Sequence, residues 1–145
     1  MQPAPDPFVQ ADTHDLVLRA EPASVRAALL AVTAVSPVAD LSPDLRGTVE
    51  LVLAEVLNNV AEHAYADSAG HVAVTVALQP GVLWCEVVDE GAPMPGGTLP
   101  EGRLPKDDLP EGGFGWHLIR TMTRDLQYRR QRGTNRLTFI IPLQE

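Results

Sequence analysis

Glu55, Asn59 and His63 fall four residues apart and therefore form one row along a helix. Val49, Leu53, Val56, Leu57, Val60 and Ala64 recur at helical spacing and give the same stretch an apolar stripe. A carboxylate and a carboxamide one turn apart, beside a buried stripe, suit a site that handles a metal ion and a proton. The carbonyl of Asn59 is the kind of oxygen ligand magnesium accepts while keeping several waters. Glu55, one turn away, is placed to accept a proton from a hydroxyl attacking a γ-phosphate. Taken alone, the helix reads more readily as an amphipathic helix with a solvated face, and His63 as a structural residue.

Two further stretches give this row a meaning. Asp89 ends an apolar strand and is followed by Glu90-Gly91-Ala92-Pro93. A carboxylate at a strand end can accept a hydrogen bond from an exocyclic amine, which selects adenine. Gly91 lets the backbone approach a base without a side chain in the way. Gly112-Gly113-Phe114-Gly115 leads directly into Trp116-His117-Leu118-Ile119-Arg120. Glycines at a helix start expose backbone N–H groups where the helix carries partial positive charge, which makes a phosphate seat. Neither the Walker sequence nor the dinucleotide fingerprint is present. The three stretches together read as a nucleotide pocket.

The elements that must position these residues follow in chain order. Residues 1–12 are expected to be a flexible arm, with three prolines in the first ten residues, and residues 13–145 one domain. His14–Ala20 reads as a strand and Pro22–Val35 as a helix closed by Ser36-Pro37. Ser42 then Pro43 starts the central helix with a capping hydroxyl and a proline at its first position, and the helix is expected to run to about Tyr65. His71–Leu78 and Val82–Val88 pair through Pro80-Gly81. Residues 94–113 are rich in Pro, Gly and charge without periodicity and read as a lid, where Arg103 and Lys106 are candidates to reach a γ-phosphate. Phe114–Thr123 is a short helix. Leu126–Arg132 and Arg136–Leu143 close the chain as a hairpin around Gly133-Thr134-Asn135, with Arg129, Arg130, Arg132 and Arg136 split between its faces. There is no internal repeat and no domain boundary.

Composition bounds the partners. At 145 residues and 45% hydrophobic, the chain has a sizeable core. A net charge of −8 and a pI near 4.9 argue against general nucleic-acid or membrane-surface binding. No apolar run approaches the roughly 20 residues that span a bilayer. The N-terminus has no signal-peptide pattern. The expected setting is cytoplasmic. Cys85 lies in an apolar run and reads as a small core hydrophobe.

In order and spacing, these pieces resemble the Bergerat-fold (GHKL) ATPase and kinase superfamily, and within it the single-domain anti-sigma factor serine kinases of the RsbW and SpoIIAB type. Glu55-Val56-Leu57-Asn58-Asn59 through His63-Ala64-Tyr65 matches the first box, Glu-x-x-x-Asn then His-Gly/Ala-Tyr. Asp89-Glu90-Gly91-Ala92-Pro93 matches the second, and Glu111-Gly112-Gly113-Phe114-Gly115-Trp116-His117-Leu118-Ile119 the third. Trp116 departs from the aliphatic residue usual there. The resemblance implies an α+β two-layer sandwich, helices on one face of a mixed, mainly antiparallel sheet, with ATP and Mg2+ under the lid. It implies Glu55 as general base and Asn59 as magnesium ligand. Nucleotide contacts are implied for Asn59, His63, Asp89, Gly91, Pro93, Gly112, Gly113, Phe114 and Gly115, with Thr138 supporting the adenine contact.

The function implied is an ATP-dependent serine kinase and anti-sigma factor in a partner switch. It would sequester an RNA polymerase sigma factor and phosphorylate a small antagonist protein on serine, and a homodimer is implied by the family alone. Phosphate adds about two negative charges, which an acidic kinase surface would reject. The rival is a non-catalytic ATP-binding switch that regulates a partner other than a sigma factor by binding alone. The ATP-binding part of a histidine kinase is less expected, because no helical phosphoacceptor segment precedes the first strand, and a gyrase-type machine less still.

Overall fold

The computed structural model describes residues 12–65, 70–101 and 112–143, with side chains from Gly115 onward in the last segment. Residues 1–11 of the expected arm and 102–111 of the expected lid, with Arg103 and Lys106, lie outside the described residues. Strand β1 spans Thr13–Arg19, β2 His71–Gln79, β3 Val82–Asp89, β4 Arg124–Gln131 and β5 Thr134–Pro142. They form one sheet in the order β1-β2-β3-β5-β4, and all four pairings are antiparallel. Helices α1 (Pro22–Thr33), α2 (Pro43–Asn59) and α3 (Gly112–Met122) pack on one face, giving the α+β two-layer sandwich.

Strand alternation decides what each face carries. The register aligns Val74, Val87 and Leu137 on the helix side, and Val76, Cys85 and Phe139 beside them. These meet Val25 and Val32 of α1, Val49, Leu53, Val56 and Leu57 of α2, and Ile119 of α3 in one core. Each fully buried aliphatic side chain there stabilises the fold by about 1.5–3 kcal/mol relative to exposure. Cys85 is fully buried, and burial pushes its thiol pKa upward. It is the core hydrophobe its apolar surroundings require.

The start of α2 is as its sequence dictates. Ser42 Oγ accepts the N–H of Leu45 at 3.3 Å, and Pro43 occupies the first turn. Arg46 Nη1 donates to the carbonyls of Ala39 (3.2 Å) and Leu41 (2.9 Å), fixing the incoming turn. Its end differs from expectation. The α-helix stops at Asn59, and Val60–Ala64 continues as a π-helical turn, closed by the Tyr65 N–H on the Val60 carbonyl at 3.2 Å. The wider turn carries Ala64 against the loop after β3, where the Ala64 carbonyl accepts the Ala92 N–H at 2.8 Å.

Two other boundaries move. Helix α3 begins at Gly112, so the glycines lie inside its first turn rather than before it. The last hairpin turns on two residues, Arg132 and Gly133 (φ 53° and 78°), which leaves Thr134 and Asn135 in β5.

Candidate functional site

The π-helical turn, the ends of β3 and β5, β4, the loop 92–95 and α3 enclose a cavity of about 300 Å³. Val56, Val60, Val87, Met94, Leu137 and Trp116 make most of its wall apolar, and Asn59, His63, Asp89 and Asn135 supply polar groups. Pro93 stands at its rim. Residues from all three sequence boxes thus converge on one space, the pattern of a small-molecule site.

Asp89 is 6% exposed at the end of β3. Both hydrogen bonds it accepts fall on Oδ1, from the Gly91 N–H at 2.9 Å and from Asn135 Nδ2 at 2.8 Å. Among the described residues Oδ2 is left for a ligand. Gly91 does not line the cavity. Its need for glycine comes from behind the wall, since a Cβ there would lie 2.4 Å from the Ala64 carbonyl oxygen. That close approach locks the second box onto the π-helical turn of the first.

Asn59 is 9% exposed, and its Nδ2 is the buried side-chain polar atom without a hydrogen bond among the described residues. An unmet buried amide costs about 1–3 kcal/mol, so the position is explained by a ligand better than by packing. Rotating the carboxamide would present its oxygen in the same place. Glu55 is half-buried one turn earlier. A Cβ on Gly115 would lie 2.7 Å from Glu55 Oε2 and 4.0 Å from Asn59 Nδ2. Glu55, Asn59 and the first turn of α3 therefore meet, and only a residue without a side chain leaves them room. His63 sits on the π-helical turn with its side chain 59% exposed, 3.9 Å from Glu62. It lines the cavity while staying largely exposed. Gly112, Gly113 and Phe114 form the start of α3, where the first N–H groups have no helical partner.

Thr138 does not reach this space. It faces the sheet's other side, beside Gln127, Arg129 and Arg136. The group that supports Asp89 is Asn135, paired with it directly across β3 and β5. Its Nδ2 also donates to the Ala92 carbonyl at 2.9 Å. Its Oδ1 accepts from Tyr128 Oη at 2.6 Å and from Arg130 Nη1 at 3.1 Å. Tyr128 Oη in turn accepts the Met94 N–H at 3.0 Å, and Arg130 Nη1 donates to the Gly91 carbonyl at 2.6 Å. This network fixes both the Asp89 carboxylate and the loop that follows it. Tyr65 completes the other flank. Its hydroxyl accepts the Glu90 N–H at 2.7 Å and donates to the His71 carbonyl at 3.0 Å. Partial burial raises its pKa, the Glu90 N–H opposes this, and the Asp89 and Glu90 carboxylates add to the rise.

The sequence matches the profile of the histidine kinase-like ATPase domain over residues 18–141. A crystal structure of the RsbU and RsbW domains of Rv1364c from Mycobacterium tuberculosis shares the fold, with a TM-score of 0.64 at 16% identity over 90% of this chain and 32% of that one. The histidine kinase domain of a blue-light activated kinase from Erythrobacter litoralis aligns over 68% of this chain and 44% of its own (28% identity, TM-score 0.46). The histidine kinase AdeS of Acinetobacter baumannii aligns over 69% and 48% (20% identity, TM-score 0.45). The chain thus spans between a third and a half of the lengths of these structures. No curated protein sequence matches it.

An ATPase domain implies ATP, and the cavity fits that ligand in two respects, the free oxygen of Asp89 and the unmet amide of Asn59; Glu55 and Gly115 meet beside Asn59 and do not themselves line the cavity. Among the described residues no three His, Cys, Asp or Glu side chains converge as a metal site, so a magnesium ion would rely on Asn59 and the nucleotide's own oxygens. No described helix is long and apolar enough to cross a membrane. With the profile covering 18–141, the chain belongs to the histidine kinase-like ATPase domain family.

Proposed function

We propose that this protein is an ATP-dependent serine protein kinase and anti-sigma factor of the partner-switching type, acting in the cytoplasm. One observation carries the reading beyond nucleotide binding: the Glu55 carboxylate stands beside Asn59 at the first turn of α3, where phosphates are expected. A protein that only bound ATP would have no use for a free carboxylate there, because it repels phosphate.

Each residue then has one task. Asp89 accepts the adenine amine through Oδ2, held in place by Asn135 and Gly91. Val56, Val87, Leu137 and Trp116 keep water from the base. Asn59 would hold Mg2+ through its side-chain oxygen, and the ion would shield phosphate charge. Glu55 takes the proton from a partner's serine hydroxyl as that oxygen bonds to the γ-phosphorus and the bond to the ADP oxygen breaks. The expected substrate is a small antagonist protein. The expected competitor for the same kinase is an RNA polymerase sigma factor, released when the unphosphorylated antagonist binds.

The test is capture of partners from host lysate with magnesium-ATP, with wild type beside Glu55→Ala. A small co-purifying protein carrying phosphoserine only with wild type, together with a sigma factor, is the expected result. Stable partners without phosphorylation would replace this reading with the non-catalytic switch, and wild-type transfer by Glu55→Ala would remove the proposed base.

A further inference from the structure

We propose that the outward face of the β4–β5 hairpin docks an acidic, partly apolar segment of a protein partner. The helices leave this face of the sheet open. One register row crosses it as Val17, Ala73, Val88, Arg136 and Arg129. The row is apolar on three strands and basic on two, and Val17 is 68% exposed. Arg129, Arg132 and Arg136 line a depression of about 310 Å³ with Gln131 and Thr134.

The arginines are not explained by composition. The chain carries a net charge of −8, yet five of its 11 basic residues lie between positions 124 and 136. Arg124 is held by the Thr123 carbonyl at 2.8 Å, and Arg130 turns inward to Gly91. The other three share the outer face. Arg136 pairs with Glu86 at 2.5 Å, while Arg129 and Arg132 have no partner among the described residues.

They are not explained by stability either. Arg129 and Arg136 are directly opposed across the strands, where like charges repel, and Glu86 offsets only the charge of Arg136. Arg132 holds φ 53° in a two-residue turn that favours Asn, Asp or Gly. Two local rules are broken within one patch, the signature of a surface kept for function.

The occupant follows from the row. Guanidinium groups match carboxylates bidentately. A phosphate backbone could use the arginines but not Val17, Ala73 and Val88. An acidic segment with interspersed apolar residues uses both halves. The patch lies across the sheet from the cavity, so it stands or falls independently of the nucleotide reading.

The test is fluorescence anisotropy with a labelled synthetic peptide of alternating glutamate and leucine, using the double variant Arg129→Gln/Arg132→Gly. Removing two such charges should weaken binding about tenfold, while the melting temperature stays level or rises because both local penalties go. Arg129→Lys/Arg132→Lys should keep most of the affinity, Arg26→Gln on α1 should keep all of it, and salt should weaken it. Unchanged affinity in the first double variant would overturn the proposal. So would tighter binding of a single-stranded oligonucleotide than of the peptide, a change in oligomeric state caused by the same substitutions, or tighter peptide binding by Asp107→Asn/Asp108→Asn, which would make the chain's own acidic stretch the occupant.

Discussion

Replacing Gly115 with alanine separates folding from chemistry at the junction of the first and third sequence boxes. The added Cβ would meet Glu55 Oε2 at 2.7 Å, where ordinary contact begins at 3.4 Å. The carboxylate must therefore retreat by roughly 0.7 Å. It is the far end of a flexible side chain, so the retreat costs about 0.5–1.5 kcal/mol of rotamer strain. The gain in helix propensity from glycine to alanine, up to about 1 kcal/mol, offsets most of that. The melting temperature should move by no more than about 4 °C. Catalysis has no such offset, because a misplacement near 1 Å costs on the order of a hundredfold. Phosphoryl transfer to the captured partner, followed with radiolabelled ATP, should fall roughly ten- to a hundredfold, with ATP affinity near wild type. Wild-type transfer by a folded Gly115→Ala protein would refute the assignment of the Glu55 carboxylate to the reaction. A collapse in stability would refute the packing argument instead.

Three other perturbations probe the same site. Asn59→Leu removes the unmet amide and should stabilise the ligand-free protein by about 1–3 kcal/mol in urea unfolding, while calorimetry shows magnesium-dependent ATP binding lost. Asn135→Ala frees the Asp89 carboxylate and the Ala92 carbonyl. It should weaken ATP binding about tenfold, the value of one charge-assisted hydrogen bond, and Asn135→Thr should recover part of it. Tyr65→Phe loses the bridge between Glu90 and His71 and should be less stable at neutral pH. Because the folded pKa of Tyr65 lies above its ordinary 10.0, its protonated form contributes stability that is complete below pH 10 and lost as pH rises through the folded value. The gap between wild type and Tyr65→Phe should therefore narrow in urea titrations taken above pH 10.

The fold was legible because its signals are local. Alternation in His71–Leu78, the apolar run Val82–Val88 and the Ser42-Pro43 start each announce one element. The convergence of Glu55, Asn59, Asp89 and Gly115 was also legible, since three short boxes name them. The π-helical turn was not, because the residues of Val60–Ala64 suit α-helix equally and only the contact of Ala64 with Ala92 selects the wider turn. The support expected of Thr138 fails on strand parity. With Leu137, Phe139 and Ile141 facing the core, Asn135 shares their face and Thr138 does not. The signal was present, but placing Asn135 in the hairpin turn concealed it. Asn135 also depends on Tyr128 and Arg130 from β4, whose positions follow only once the register is known.

Trp116 closes the α3 side of the cavity at 4% exposure, whereas Trp84, the other tryptophan of the chain, is half-buried on the opposite face of the sheet. One indole therefore shares a wall with any bound base, and the other does not. Emission from Trp116 becomes an intrinsic optical gauge of occupancy, quenched as a purine stacks near it, with Trp84 as an internal reference. No dye or tag needs to be attached, and rapid mixing can time the arrival and departure of nucleotide in the unlabelled protein.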